Sequence, residues 1–290
     1  MMTYDDDRGR VLLFGGAGQE ETFGDFWSLD AHGWTRLSES GGPPARNSGV
    51  LVFDSRRKRA VLFGGRGGAE PLRDTWEWDG TRWMSVATNG PAPGIHTVAA
   101  FDRQRGVAVL FVPLLAAGKL VRPFQAETWL WDGHTWTKAP GKSPEDCLAN
   151  GMAVDEASGA VMLLTGRFGP SEYGVPFAGS DLWTWTGSGW QRVSDAPAVS
   201  EPFFSTIAPA GKSGGLLLFD GSAGKAAGVT WRWDGRAWSE VSRTGPSARN
   251  VHVMSYDRER DRVVLFGGGV GQHRLGDTWE WDGRAWTERR

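Results

Sequence analysis

The sequence predicts an all-β fold built from six copies of a four-stranded antiparallel sheet. The stretch TWEWDG occurs twice, at 75–80 and 278–283, about two hundred residues apart. A short apolar run that ends in glycine also recurs, as in AVLFGG at 60–65 and VVLFGG at 263–268. A chain of 290 residues with 17 Trp and 42 Gly is too long for one simple core, so the copies indicate an array of similar units.

Six such runs align along the chain. Their equivalent residues are Phe14, Phe63, Phe111, Leu164, Phe219 and Phe266, at intervals of 49, 48, 53, 55 and 47 residues. We therefore predict one domain, 1–290, with six units at about 1–38, 46–87, 94–139, 147–194, 202–242 and 249–290. No unit departs far from this period, so insertions are expected only in loops.

Each unit is predicted to contain strands A to D. Strand A is apolar and ends in Asp, as in VLVFD at 50–54, and strand B is the continuously apolar run. Strand C carries two Trp residues two positions apart, which places both rings on one face of the sheet. An Asp-Gly hairpin then leads into strand D, which opens with another Trp. Sheets with large rings on their mating faces close into a propeller.

This pattern resembles the kelch family of β-propellers. The resemblance covers the whole chain and rests on the Gly-Gly doublets at 15–16, 64–65 and 267–268 and on the Trp residues of strands C and D. WD-repeat propellers have a shorter period and a Gly-His element that is missing here. Many kelch rings close by borrowing a strand from the opposite terminus. The first unit here supplies its own strand A, MMTYD, so we expect blade 1 to pack directly on blade 6.

Several groups that resemble functional residues recur in register and are therefore interpreted as scaffold. The acid two residues before the first Trp of strand C is predicted to accept a structural hydrogen bond. These acids are Asp25, Asp74, Glu127, Asp181 and Asp277. A second repeated group, Asp5, Asp54, Asp102, Asp155 and Asp257, is expected to close the A–B turns.

Composition narrows the functional classes. With a net charge of −2, the chain has no overall positive potential that would attract nucleic acid or an anionic membrane. No apolar run is long enough to span a bilayer. The acidic N-terminus lacks a secretory signal pattern, and the single Cys147 cannot form an internal disulfide, so a cytoplasmic location is expected. No metal-binding or nucleotide-binding motif is present, and we expect no cofactor.

The copies differ most on the face formed by the D–A and B–C connections, where rigid scaffolds usually carry function. The B–C loops of blades 3 and 4, at 112–126 and 167–180, are longer and more apolar than the others. Aromatic candidates on this side are Phe124, Phe168, Phe177, Phe203 and Phe204. Exposed apolar loops often mark a binding site, although these two loops could instead bury one another.

Polar candidates surround the same loops. Five are potential acid–base residues: Glu145, Asp146, Glu172, Tyr173 and Glu201. His96 and His252 begin strands A and could face the channel, or could be ordinary hydrogen-bonded residues. By the kelch resemblance, Arg46 and Arg249 could hold a carboxylate, whereas the alternative is a salt bridge to neighbouring loops.

Two functions are consistent with these features. The first is binding of an apolar small molecule near blades 3–5, with cofactor-independent cyclisation, isomerisation or elimination as a further step. The second is a non-catalytic interaction module that binds a peptide or protein on the same face. Because kelch propellers include both classes, the fold does not choose between them.

Overall fold

The computed structural model confirms an all-β, six-bladed propeller with four antiparallel strands in each blade. It describes residues 1–38, 41–68, 70–92, 94, 96–114, 124–168, 177–197, 205–221 and 228–289, with only the backbone described at 168, 177 and 178. No helix occurs in these ranges. Within every blade the strand order follows the chain, A to D, as the repeat predicts.

The blades have the following strands. Blade 1 contains β1 (Met2–Asp5), β2 (Arg10–Ala17), β3 (Thr22–Asp30) and β4 (Gly33–Ser38). Blade 2 contains β5 (Val50–Asp54), β6 (Arg59–Arg66), β7 (Pro71–Trp78) and β8 (Trp83–Ala87). Blade 3 contains β9 (Val98–Asp102), β10 (Val107–Pro113), β11 (Ala126–Trp131) and β12 (Trp136–Lys138).

The second half of the ring repeats this arrangement. Blade 4 contains β13 (Cys147–Val154), β14 (Val161–Phe168), β15 (Phe177–Trp185) and β16 (Trp190–Ala196). Blade 5 contains β17 (Ser205–Pro209), β18 (Leu216–Asp220), β19 (Val229–Trp233) and β20 (Trp238–Ser242). Blade 6 contains β21 (Val253–Asp257), β22 (Arg262–Phe266), a small hairpin of β23 (Gly269–Val270) and β24 (His273–Arg274), β25 (Thr278–Trp281) and β26 (Trp286–Arg289).

The ring closes without an exchanged strand. Strands A of neighbouring blades contact one another around the central axis, and β21 of blade 6 contacts β1 of blade 1. Val11, Leu13 and Leu29 of blade 1 share a buried cluster with Val264 of blade 6. The prediction that blade 1 packs directly on blade 6 is therefore confirmed.

The Trp residues have the scaffold roles that their register predicts. The second Trp of each strand-C pair is buried, as Trp78, Trp131 and Trp281 show. The first Trp donates its indole N–H to the acid two residues earlier in four blades. The pairs and distances are Trp27–Asp25 at 2.7 Å, Trp76–Asp74 at 2.6 Å, Trp129–Glu127 at 2.8 Å and Trp279–Asp277 at 2.7 Å. In blade 4, Asp181 instead accepts from Arg192, and Trp183 donates to Thr165.

Strand-D Trp residues connect each blade to the preceding one. Four of them donate to the Thr that opens the preceding blade's TW pair: Trp136 to Thr75, Trp190 to Thr128, Trp286 to Thr230 and Trp34 to Thr278. At the two remaining interfaces that position is Phe26 or Leu182, and the indole N–H groups of Trp83 and Trp238 have no partner among the described residues. Among the described residues, this interblade hydrogen bond therefore forms where the residue before the first strand-C Trp is Thr.

Candidate functional site

The central channel has a cavity at each end. The cavity on the D–A and B–C side has a volume of about 370 Å³, and the one on the A–B turn side about 130 Å³. We call them the open cavity and the turn-side cavity. The open cavity lies on the face where the sequence varies most, but on the axis, with walls from blades 2 to 6 rather than from blades 3–5 alone.

One register position supplies the polar lining of the open cavity. In the A–B ladders, Val50 pairs with Phe63, Gly151 with Leu164 and Thr206 with Phe219, which aligns the strands A of the blades. The residue immediately before each of these positions faces the cavity. We call this set the polar ring: Gly49, Thr97, Asn150, Ser205 and His252. Because the blades are related by rotation, one sequence position places Gly49 and four different side chains around the axis.

Asn150 occupies a β-bulge of strand β13. Ala149 pairs with Thr165 and Gly151 with Leu164, so Asn150 is the extra residue that lacks an opposite partner. Bulges redirect a side chain from the regular pleat. Asn150 is 8% exposed and donates from Nδ2 to Oγ of Ser205 at 2.8 Å. Its Oδ1 has no hydrogen-bond partner among the described residues.

His252 is the titratable side chain of the polar ring. It is 6% exposed and packs edge-on against Phe219, with ring centroids 5.1 Å apart. Neither ring nitrogen makes a well-aligned hydrogen bond to a described residue, although the backbone of Phe219 approaches the ring and opposes the fall in pKa. Burial, with the Arg249 charge as the second cause, lowers the pKa of His252 to about 3. The imidazole is therefore neutral at pH 7.

His96 also lines the open cavity and belongs to a repeated turn. Its φ of 53° lies in the left-handed region, as do those of Ser48 (56°) and Val251 (53°), which precede strands A of blades 2 and 6 by the same two residues. Burial lowers the pKa of His96 to about 4. Both histidines that the sequence suggested thus lie in the cavity wall in their neutral form.

The rest of the described wall is mainly apolar. Val50, Phe63, Pro71 and Val98 contribute aliphatic and aromatic surface beside the polar ring. Arg66 also borders the cavity and is exposed to solvent. This combination of apolar wall and a few neutral polar groups is typical of small-molecule sites.

The Gly-Gly doublet has a structural reason at this wall. Gly65 has a φ of 97°, and a Cβ atom there would lie 2.6 Å from the carbonyl oxygen of Asn47. Gly268 repeats the arrangement in blade 6 with a φ of 96° and the carbonyl oxygen of Asn250 at 2.5 Å. Close backbone approach, rather than phosphate binding, therefore explains the doublets in these two blades.

Arg46 and Arg249 form buried ion pairs inside their own blades. Arg46 is 0% exposed, and its two Nη atoms contact the Asp74 carboxylate at 2.6 and 2.8 Å. Its remaining bonds go to the carbonyl oxygens of Pro44 and Gly64. Burial alone would raise the pKa of Asp74, but hydrogen bonds from Arg46 and Trp76 hold it below its usual value.

Arg249 repeats this geometry with Asp277, at 2.6 and 2.8 Å, and with the carbonyl oxygens of Ser247 and Gly267. Both arginines therefore form salt bridges, but with the acid before the first strand-C Trp of their own blade rather than with a neighbouring loop. Neither is among the described residues that line the open cavity.

The other described candidates lie outside the cavity wall. Glu145 is exposed. The backbone N–H of Asp146 donates to the carbonyl oxygen of Phe124 at 2.7 Å. This bond connects the residue before strand β13 to the end of the B–C loop of blade 3. Phe124 is 4% exposed. Burial raises the pKa of Cys147 to about 12, so the thiol is not a nucleophile at neutral pH.

The remaining predicted residues receive no side-chain description. Phe168 and Phe177 pair with each other as backbone partners of β14 and β15. The other five lie outside the described residues: Glu172, Tyr173, Glu201, Phe203 and Phe204. Asn150, Ser205 and Thr97 were missed by the sequence reasoning. Aligning strands A and comparing the residue just before them would have identified this position.

The turn-side cavity is surrounded by charge. Asp6, Arg103, Glu156 and Arg258 each follow the last residue of a strand A or its turn aspartate, so they also share one repeat position. We call them the charged ring. Arg103 contacts Asp6 at 3.4 Å and Glu156 at 3.1 Å, while Arg258 contacts Asp6 at 3.1 Å and Glu156 at 2.5 Å. Each cation therefore bridges both anions across the axis.

The described residues include no group of three or more His, Cys, Asp or Glu side chains that could hold a metal ion. They also include no helix long and apolar enough to cross a membrane. No protein-family model matches the chain, and no curated protein matches it.

Proposed function

We propose that this protein binds an uncharged, predominantly apolar small molecule in the open cavity. The observation that carries the proposal is the Oδ1 atom of Asn150, a buried acceptor that borders a cavity of about 370 Å³ and has no partner among the described residues. A buried polar atom without a partner costs about 1–3 kcal/mol, so its presence at a cavity favours a ligand group or water as the missing partner.

The chemistry of the wall supports an uncharged ligand. Val50, Phe63, Pro71 and Val98 offer apolar surface, and both histidines are neutral at pH 7 because burial lowers their pKa values. An ionised ligand would lose its hydration without gaining a buried counter-charge from these groups. The proposal is restricted to binding because Glu145 and Asp146, the described members of the acid set, do not border the cavity.

We also propose that the ring is of the kelch type. The period near 50 residues, the Gly-Gly doublets and the strand-C and strand-D Trp residues support this assignment. The repeated Trp-to-acid and Trp-to-Thr hydrogen bonds give those residues a common structural role across the blades. A cytoplasmic location remains a prediction from the sequence.

The proposal is tested by filling the open cavity. Thr97 lies in the polar ring, and its hydroxyl donates only a 3.3 Å bond to the carbonyl oxygen of Gly94 among the described residues, so Thr97→Phe adds volume with little loss of bonding. Native mass spectrometry would compare wild type and Thr97→Phe after incubation with the same library of neutral and charged fragments. We expect wild type to retain neutral fragments and Thr97→Phe to lose them.

The matched control is Thr137→Phe, on the exposed strand β12 and far from the cavity wall. Retention should be the same as in wild type. Equal retention by Thr97→Phe and wild type would contradict the cavity as the site. Absence of any retained fragment, together with specific capture of a peptide by the same face, would favour the interaction-module alternative.

A further inference from the structure

We propose that the ligand of the open cavity carries a neutral group that both donates and accepts hydrogen bonds, such as a hydroxyl or a carboxamide, and that Asn150 and Ser205 bind this group together. This inference rests on the proposed function and adds the chemical class of the ligand's polar end. It assigns recognition to two side chains contributed by neighbouring blades 4 and 5.

The donors and acceptors that Asn150 and Ser205 leave open indicate a ligand group that both donates and accepts. Nδ2 of Asn150 donates to Oγ of Ser205 at 2.8 Å, which leaves Oδ1 as an open acceptor. The Ser205 hydroxyl accepts that bond and keeps its own proton to donate. If the amide is rotated, the serine donates to Asn150 instead, and the amide N–H becomes the open donor while the serine oxygen can accept. In either orientation the pair presents one donor and one acceptor side by side.

Burial makes this pair selective. Asn150 is 8% exposed and Ser205 is 4% exposed, so water reaches both poorly when the cavity is filled. A ligand that only accepts, such as an ether, leaves the acceptor of the pair without a partner. Sites built to bind a hydroxyl discriminate strongly against analogues that lack it because the buried protein group is then unpaired.

The cations near the cavity do not favour a carboxylate. Arg46 and Arg249 already contact Asp74 and Asp277 through two bonds each. Arg66 lies at the solvent-exposed border, where a single charge contact contributes little. His252 is neutral and belongs to blade 6, which adjoins blade 5 in the same polar ring, so it can add one further neutral hydrogen bond.

The experiment uses three probes that share one aromatic body: naphthol, methoxynaphthalene and naphthoate with the substituent at the same ring position. Dissociation constants for the full chain are measured by isothermal titration at neutral pH. We expect naphthol to bind about five- to tenfold more tightly than methoxynaphthalene, and naphthoate to bind most weakly.

Variants locate the preference. Asn150→Leu and, independently, Ser205→Ala should bring the naphthol and methoxynaphthalene constants within about twofold of each other, since each change removes part of the pair. The matched control is Thr137→Val, which removes a hydroxyl from the exposed strand β12, outside the cavity lining, and should keep the preference. Circular dichroism of each variant confirms that it is folded, and the two separate variants keep the test decisive if one is not.

The outcomes separate the two proposals. If the probes bind, and Thr97→Phe blocks them, but naphthol has no advantage or keeps it in both Asn150→Leu and Ser205→Ala, the polar-end assignment is overturned and cavity binding stands. Tightest binding of naphthoate also overturns it. If no probe binds, or Thr97→Phe has no effect on binding, cavity binding itself fails and this inference fails with it.

Discussion

The two ends of the channel are built by the same geometric device and have opposite chemistry. At the turn side, one repeat position gives Asp6, Arg103, Glu156 and Arg258, whose charges pair with one another. At the open side, another repeat position gives the neutral polar ring, where Asn150 keeps an open acceptor. The turn-side charges have partners of opposite sign within their own ring, whereas the Asn150 acceptor has no partner among the described residues. We propose on this basis that the turn-side end stabilises the ring and that the open end binds the ligand.

The largest effect is expected when the charged ring is broken. Glu156→Leu removes the acid that contacts both Arg103 and Arg258, and its side chain is only 11% exposed. Breaking a largely buried pair leaves its partners without compensation, so we expect the free energy of unfolding to fall by about 2–4 kcal/mol in urea denaturation. Naphthol affinity of the folded protein should stay within about twofold of wild type, because the open cavity is untouched.

A matched control is Glu240→Leu, which removes a carboxylate from the exposed pair with Arg243, at 2.6 Å. Surface pairs contribute about 0–1 kcal/mol, so this variant should change stability little. If Glu156→Leu and Glu240→Leu destabilise the protein equally, the charged ring is not a stabilising network. If Glu156→Leu instead abolishes naphthol binding, the division between the two ends is wrong.

A second effect, smaller over any one pH unit, is the pH dependence contributed by the neutral histidine. Burial lowers the pKa of His252 from 6.5 to about 3, so the unfolded chain binds a proton that the folded protein resists. Its contribution is complete above pH 6.5 and is lost as the pH falls towards 3. The slope is at most about 1.4 kcal/mol per pH unit for one such group.

Urea denaturation at a series of pH values between neutral and acidic tests this. We expect the stability of wild type to fall more steeply than that of His252→Leu across that window, because leucine binds no proton in either state. The matched control variant is His273→Leu, on the exposed strand β24 outside the cavity wall. Identical slopes in wild type and His252→Leu would mean that His252 is not held neutral in the polar ring.

The smallest stability effect is expected at Asn150. Asn150→Leu removes a buried acceptor that lacks a partner and also the bond to Ser205, and these two changes oppose each other. We predict a free energy of unfolding within about 1 kcal/mol of wild type, together with loss of the naphthol preference. A large loss of stability without change in the preference would place Asn150 with the scaffold and remove the contrast between the ends.

The fold could be predicted from the sequence because its information is repeated. Register, Trp positions and the A–B turn aspartates recur, so each copy supports the others, and Asp54, for example, accepts from the backbone of Arg56 and Arg57 as expected. In the same turn, Arg57 contacts Glu77, and Arg56 donates to carbonyl oxygens of the next blade's turn.

The site could be predicted only in part because it depends on what is not repeated. The face and the two histidines followed from strand order and position. Asn150 emerges only when the residue before strand A is compared across the blades, and the β-bulge that it occupies is a register shift that the sequence pattern does not show. The charged ring could not be predicted from the sequence because each of its four residues resembles an ordinary turn residue. Only closure of the propeller brings these side chains together.

The most direct test of the account is a crystal structure of the full chain with naphthol bound. We predict that the aromatic rings lie in the open cavity against Val50 and Val98, with the hydroxyl oxygen within hydrogen-bond distance of Asn150 and Ser205. Naphthol bound at the turn-side cavity or on the outer blade surfaces, with the open cavity holding only water, would contradict the assignment of binding to the open end of the channel.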